Sequence, residues 1–198
     1  VLKMQGQAEA ALPVLERALV LMPEDAETHY NLGVLYQDLG RLSEAEASYR
    51  RALVLKPDYA DAHNNLGNAY KDLGHLTEAE ASYRRALTLK PDYAKAHLNL
   101  GVIFKDLGNL TEAEASYHRA LTLKPDYAEA HNNLGNTLKD LGHLAEAEAS
   151  YHRALALKPD YTDAHSNLLL FSMYADTIPP SASFAEHQRY GQHIAAQV

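Results

Sequence analysis

Five asparagines recur every 34 residues along this chain, and their side chains are well suited to holding another polypeptide. They are Asn31, Asn65, Asn99, Asn133 and Asn167. A carboxamide carries an acceptor and two donors in one plane, so it can bond the C=O and the N–H of a peptide group whatever that peptide's side chain. Amides and carboxylates three and seven residues later fall on the same helical stripe, at Asn68, Asn136, Asp38, Asp72, Asp106 and Asp140. We predict a peptide-binding surface from this set.

A structural explanation of the same asparagines stays open. They could satisfy nearby backbone groups or water and recur only because the repeated units are recent copies of one another. The residue before each asparagine argues against this, because it varies while the asparagine does not, running through Tyr30, Asn64, Leu98, Asn132 and Ser166.

The elements that position these residues follow from the repeat. Prolines fall 34 residues apart from Pro23 to Pro159, as do glycines from Gly40 to Gly142, which indicates tandem copies of one supersecondary unit. The predicted divisions are a partial unit at 1–25, full units at 26–59, 60–93, 94–127 and 128–161, the start of a fifth at 162–176, and a proline turn with a capping or junction helix at 177–198.

Each unit is predicted to hold two antiparallel helices. In unit 60–93 the first helix buries Ala62, Leu66 and Tyr70, with Asp58 as its N-cap and Gly74 as its stop. The second helix ends before Pro91. Its start is predicted to be a capping box in three units, formed by Ser43 with Glu46, Thr77 with Glu80 and Thr111 with Glu114, whereas Ala145 breaks that pattern and predicts a weaker start.

The residues of each unit resemble the tetratricopeptide repeat (TPR) motif. In unit 26–59 the matching positions are Leu32, Gly33, Tyr36, Gly40, Ala45, Tyr49, Ala52 and Pro57. The resemblance implies an all-α fold, a right-handed TPR superhelix (an α-solenoid of antiparallel helix pairs) with a C-terminal capping helix. It also implies that the first helices line a concave groove that takes protein or peptide segments. The chain departs from the common pattern by placing histidine where an aromatic residue is usual, at His29, His63, His97, His131 and His165.

Composition limits the function. A net charge of −8 argues against a nucleic-acid partner, and no apolar run is long enough to span a membrane. Cysteine is absent, so thiolate metal sites are excluded. The repeated histidines are too far apart to share a metal ion, and we interpret them as packing residues. We predict no catalytic residue, no cofactor and no metal in this chain, and a cytoplasmic location.

Residues 165–193 resemble the junction between the repeats and the catalytic region of bacterial O-GlcNAc transferase-like (SPINDLY-like) proteins. The matching segments run HisSerAsnLeuLeu from His165 and PheAlaGluHis from Phe184. The resemblance implies that this chain is the substrate-recruiting arm of a larger glycosyltransferase, in which the asparagines above grip the substrate backbone and the aspartates select targets.

Two alternatives remain. The chain could be a freestanding TPR adaptor or assembly protein with no linked enzyme. It could also form a homo-oligomer through exposed solenoid ends, because a terminal repeat leaves apolar surface that a second copy would cover.

Overall fold

The structure, a computed structural model, describes the backbone of residues 2–174 and the side chains of residues 11–173. Within that range every regular element is helical, as the sequence predicts. The helices are α1 (Leu2–Leu21), α2 (Ala26–Asp38), α3 (Leu42–Leu55), α4 (Ala60–Asp72), α5 (Leu76–Leu89), α6 (Ala94–Asp106), α7 (Leu110–Leu123), α8 (Ala128–Asp140), α9 (Leu144–Leu157) and α10 (Thr162–Tyr174). The predicted capping or junction helix at 177–198 lies outside the described residues.

The chain divides into two compact units, Val1–Ile103 and Phe104–Val198, and the division falls inside α6. In the first unit, α2 packs against α3 and α4 against α5. In the second unit, α8 packs against α9, and α10 packs against both of them. The even-numbered helices from α2 onward are the first helices of the predicted repeats. The repeats 26–59, 60–93 and 128–161 are therefore antiparallel helix pairs.

Small residues let the two helices of a pair approach closely. A Cβ added to Gly67 of α4 would lie 2.6 Å from a ring carbon of Tyr83 in α5. A Cβ at Gly33 or Gly135 would meet Tyr49 or Tyr151 in the same way. These three tyrosines have no exposed surface. The glycine and the tyrosine of a repeat thus form one packing contact, since the ring occupies the space that a side chain on the first helix would take.

The turn between paired helices has three residues and forms a Schellman motif. Gly74 has a positive φ of 80°, and its N–H bonds the Lys71 carbonyl at 2.9 Å. The N–H of His75 bonds the Tyr70 carbonyl at 2.8 Å, which satisfies a carbonyl that the end of α4 leaves free. The predicted stop at Gly74 is therefore confirmed, and its cause is the left-handed conformation that glycine adopts without strain.

The predicted helix starts are wrong. The second helices begin directly after the turn, with Arg41, His75, Asn109 and His143 at the N-cap and no side-chain cap in any of them. Ser43, Thr77 and Thr111 consequently lie inside the first helical turn, and the helix after His143 starts like the others despite Ala145. Asp58 is not a cap either, because Tyr59 holds that position before α4.

Asp25 supplies a side-chain cap at the start of α2. Its Oδ2 accepts from the backbone N–H of Thr28 at 2.8 Å and also from the Thr28 hydroxyl. The helix before it in the chain, α1, runs from Leu2 through Pro13 to Leu21 without a break.

Candidate functional site

The predicted peptide-binding asparagines lie on the first helices, and we call the surface that they form the amide face. In the first unit it comprises Asn31, Asn65, Asn68 and Asn99. In the second unit it comprises Asn133, Asn136 and Asn167. Asn31 is exposed and the other side chains are half-buried. The two parts of the amide face are described separately below.

In the first unit, asparagines of neighbouring repeats bond one another. Asn99 on α6 donates through Nδ2 to Oδ1 of Asn64 at 3.1 Å and to Oδ1 of Asn68 at 3.0 Å, both on α4. Asn65 donates through Nδ2 to the Tyr30 hydroxyl on α2 at 3.0 Å. The structure therefore joins these side chains into a network that links one first helix to the next.

The second unit repeats the arrangement. Asn167 on α10 donates through Nδ2 to Oδ1 of Asn132 on α8 at 2.9 Å. Asn132 in turn donates to Oδ1 of Asn133 at 3.4 Å. Asn132 is buried, as is its counterpart Asn64 in the first unit. The acceptor for a repeated asparagine is thus the residue just before the asparagine of the preceding repeat.

This network accounts for three of the variable residues that precede an asparagine, namely Tyr30, Asn64 and Asn132, but not for Leu98, whose side chain has no acceptor. A side-chain amide donates equally well to the phenol oxygen of Tyr30 or to the amide oxygens of Asn64 and Asn132, so the asparagine persists while its acceptor changes. Sequence reasoning missed this partnership. The signal was a spacing of 35 residues between donor and acceptor, one more than the repeat length.

Two further residues of the predicted site, Asn68 and Asn136, accept hydrogen bonds from tyrosines of the core. The hydroxyl of Tyr83 donates to Oδ1 of Asn68 at 2.8 Å, and the hydroxyl of Tyr151 donates to Oδ1 of Asn136 at 2.8 Å. Burial raises the pKa of both tyrosines far above the ordinary value, so they remain hydroxyl donors at any physiological pH. The carbonyl oxygens of Asn68 and Asn136 are therefore already engaged inside the protein.

Part of the amide face remains unpaired within the described residues. Asn31 makes no side-chain hydrogen bond there. No hydrogen bond within the described residues uses the NH2 groups of Asn133 and Asn136. The same is true of the side-chain carbonyl oxygens of Asn99 and Asn167. No fully buried side-chain nitrogen or oxygen lacks a hydrogen bond in the same part of the chain, so these groups reach solvent. They are the atoms of the predicted site that a ligand can bond without breaking the network.

The predicted carboxylates Asp38, Asp72, Asp106 and Asp140 are exposed, and each is the last residue of a first helix. A negative charge is unfavourable there, because the C-terminus of a helix carries the negative end of its dipole. Lysines offset part of this effect. Asp140 lies 3.3 Å from Nζ of Lys105 and 3.7 Å from Nζ of Lys139, and Asp72 lies 3.5 Å from Nζ of Lys71. Asp38 makes no ion pair among the described residues.

The repeated histidines bond the loop before each first helix. Nε2 of His63 lies 3.1 Å from the Pro57 carbonyl, and the equivalent contact is 2.8–3.1 Å in the other repeats, at His29, His97, His131 and His165. Desolvation lowers the pKa of His63 and of His131 below 6.5, so the neutral form donates this bond. Among the side chains that the structure describes, no group of three His, Asp or Glu residues could hold a metal ion.

The family comparison covers most of the chain. The family model described as "TPR repeat" matches residues 1–40, 35–74, 67–108 and 101–142, and the model described as "Tetratricopeptide repeat" matches residues 128–161. No curated protein matches the sequence. None of the helices within residues 2–174 combines the length and apolar character needed to cross a bilayer.

Solved structures give the same result. TTC0263, a thermophilic TPR protein of Thermus thermophilus, is 30% identical with a TM-score of 0.70, and the match covers 87% of this chain and 94% of that one. MamA is 26% identical with a TM-score of 0.72 over 79% of this chain and 92% of that one. PilW, a type IV pilus biogenesis factor, is 25% identical with a TM-score of 0.79 over 98% of this chain and 86% of that one.

Proposed function

Since the chain belongs to the tetratricopeptide repeat family, we propose that it is a scaffold that holds extended polypeptide segments on its amide face. The observation that carries the proposal is the set of solvent-facing amide groups left unpaired by the internal network. These groups point to a ligand with both N–H and C=O groups along its length, which is a peptide backbone.

The unpaired amide groups also determine the orientation of the bound peptide. In the second unit, Asn133 and Asn136 on α8 offer donors, whereas Asn167 on α10 offers an acceptor. A peptide bound there presents a carbonyl to α8 and an N–H to α10. In the first unit, Asn99 offers an acceptor and Asn31 offers both kinds of group. The network bonds hold most of these side chains in one orientation, which reduces the entropy lost on binding.

The aspartates supply selectivity in this proposal. Each of the four carboxylates lies at the C-terminus of a helix, where the helix dipole disfavours a negative charge and local stability is lowered. Residues that lower local stability in this way are expected at functional positions. Asp38 has no ion-pair partner within the described residues, so its charge is available to a Lys or Arg of the ligand. Each hydrogen bond contributes a net of about 0.5–1.5 kcal/mol, so we expect roughly micromolar to millimolar affinity for a short peptide.

The test is a fluorescence anisotropy titration of unstructured peptides containing Ser and Thr against the chain and a variant with Asn31, Asn133 and Asn136 changed to Ala. These substitutions remove free groups, and the one bond between helices that they break is that from Tyr151 to Asn136. Within α8 they also remove the bond from Asn132 to Asn133. The control is Asn109→Ala, which removes an exposed amide from a turn. Equal affinity in the triple variant and the control, with both folded by circular dichroism, refutes the proposal.

The proposal extends to a larger enzyme through residues 165–193. Their sequence supports a link to a glycosyltransferase of the O-GlcNAc transferase-like kind, with Asn31, Asn65, Asn99, Asn133 and Asn167 holding the protein substrate and Asp38, Asp72, Asp106 and Asp140 selecting it. A freestanding adaptor or assembly protein is the second candidate. PilW, a pilus biogenesis factor of the same fold, favours it. Reading the coding sequence beyond Val198 separates the two.

A further inference from the structure

A second repeated surface lies on the opposite face of α2 and α4, where each of these helices and its partner leave a small cavity that we call a notch. Notch 1 lies between α2 and α3 and has a volume of about 330 Å³. Notch 2 lies between α4 and α5 and has a volume of about 310 Å³. Both are in the first unit, and equivalent repeat positions line them. In notch 2 these include Leu66, Tyr70, Ala81 and Arg85.

The notches are separate from the amide face. The first-helix residues of notch 2 are His63, Leu66 and Tyr70, whereas Asn65, Asn68 and Asp72 belong to the predicted peptide site. At 3.6 residues per turn, the two sets are roughly 160° apart around α4. A ligand in the notch and a peptide on the amide face can therefore be bound at the same time.

One cation in each notch forms no ion pair within the described residues. Arg51 lines notch 1 and Arg85 lines notch 2, and neither has a carboxylate partner there. The arginines just before them are paired instead. Arg50 lies 2.8 Å from Glu46, and Arg84 lies 2.7 Å from Glu80. At both notches the first unit thus places an unpaired guanidinium beside an apolar cavity.

The acidic residues of the notches do not cancel this charge. Glu44 in notch 1 is bonded by Arg41 at 2.7 Å, which also lowers the pKa of its carboxyl group. Glu78 in notch 2 stands seven residues before Arg85 on α5, about 10 Å away along the helix axis. The Arg85 end of notch 2 therefore remains positive.

We propose that the notches bind a partner segment in which a bulky aliphatic side chain is followed by a carboxylate. The aliphatic group enters the cavity against Leu66 and Tyr70, and the carboxylate pairs with the unpaired arginine, which presents two parallel N–H donors to it. A cavity of this volume accommodates a leucine side chain. Because notch 1 and notch 2 follow one another, we expect a segment that carries the aliphatic residue and its carboxylate twice.

The test is a 15N–1H NMR titration with two disordered peptides that differ at one residue type. One carries Leu-Glu twice in a Gly-Ser background, and the other carries Leu-Gln. Shifts of the Ala81 and Ser82 amides report notch 2, and shifts of Ala47 and Ser48 report notch 1. We expect the Leu-Glu peptide to bind up to about fivefold more tightly, the largest gain usual for one exposed ion pair.

Two variants of adjacent residues give the matched control. Arg85→Gln is expected to remove the preference for Leu-Glu at Ala81 and Ser82 and to leave notch 1 unchanged, whereas Arg84→Gln is expected to preserve that preference. Ala81→Phe, which fills notch 2, is expected to abolish its shifts with both peptides. Shifts at neither notch, equal affinity for the two peptides, or shifts confined to the amide face would each overturn the proposal. Shifts confined to the amide face would still support the proposed peptide-binding function of that face.

Discussion

Replacing Gly67 by Ala tests how tightly the two helices of a repeat are packed. A Cβ at this position would lie 2.6 Å from Cε1 and 2.8 Å from Cδ1 of Tyr83. The ring cannot move aside easily, because it has no exposed surface and its hydroxyl is bonded to Asn68 at 2.8 Å. Helix propensity alone would make alanine more stable than glycine by about 1 kcal/mol. Overpacking a filled core opposes this by about 1–3 kcal/mol.

We expect a net loss of roughly 1 kcal/mol from Gly67→Ala, about a fivefold change in the folding equilibrium. The assay is urea unfolding followed by circular dichroism, fitted with a nearest-neighbour model because repeats contact mainly their neighbours. The control is the same substitution in a Tyr83→Leu background, where the ring is gone and alanine should be neutral or stabilising. An equal loss in both backgrounds would show that the ring contact is not the cause.

Two further predictions concern pH and capping. Because His63 and His131 have lowered pKa values in the folded protein, the unfolded chain binds protons more readily; their contribution to stability is complete above the unfolded value of 6.5 and is lost as the pH falls below it. Changing both histidines to Gln should make the thermal melting temperature depend less on pH in that range. An unchanged dependence would show that these histidines are not its cause. Asp25→Ala should lower the melting temperature, since it removes the cap of α2, whereas Asp58→Ala should have little effect; equal effects would refute the capping difference.

The helix pairs could be predicted from the sequence because their signals are local. Gly74 requires a left-handed turn and Pro91 ends a helix, and both effects act within a few residues. The helix starts could not be predicted, because a Ser or Thr followed three residues later by Glu occurs equally well inside a first helical turn. The Schellman bond from His75 to Tyr70 leaves only three residues between α4 and α5, so α5 begins before Thr77 can act as its cap.

The position of the asparagines on the first helices could be predicted from the sequence, but their hydrogen bonds could not, and their role in binding a peptide stays a prediction. The 34-residue spacing placed the asparagines on one face of the first helices. It gave no indication that Asn99 donates to Asn64 and Asn68, or that Asn167 donates to Asn132, because those contacts depend on how successive helices pack. The packing decides which amide groups are used internally and which remain for a ligand.

The side-chain amide signals of the asparagines provide the most direct test of the central claim, that the amide face binds an extended peptide. In a 15N–1H NMR titration with an unstructured peptide containing Ser and Thr, we expect the NH2 signals of Asn31, Asn133 and Asn136 to shift. The Ala81 and Ser82 amides in notch 2 should stay unchanged. If those three NH2 signals remain fixed at millimolar peptide while others move, the amide face is structural and binding occurs elsewhere.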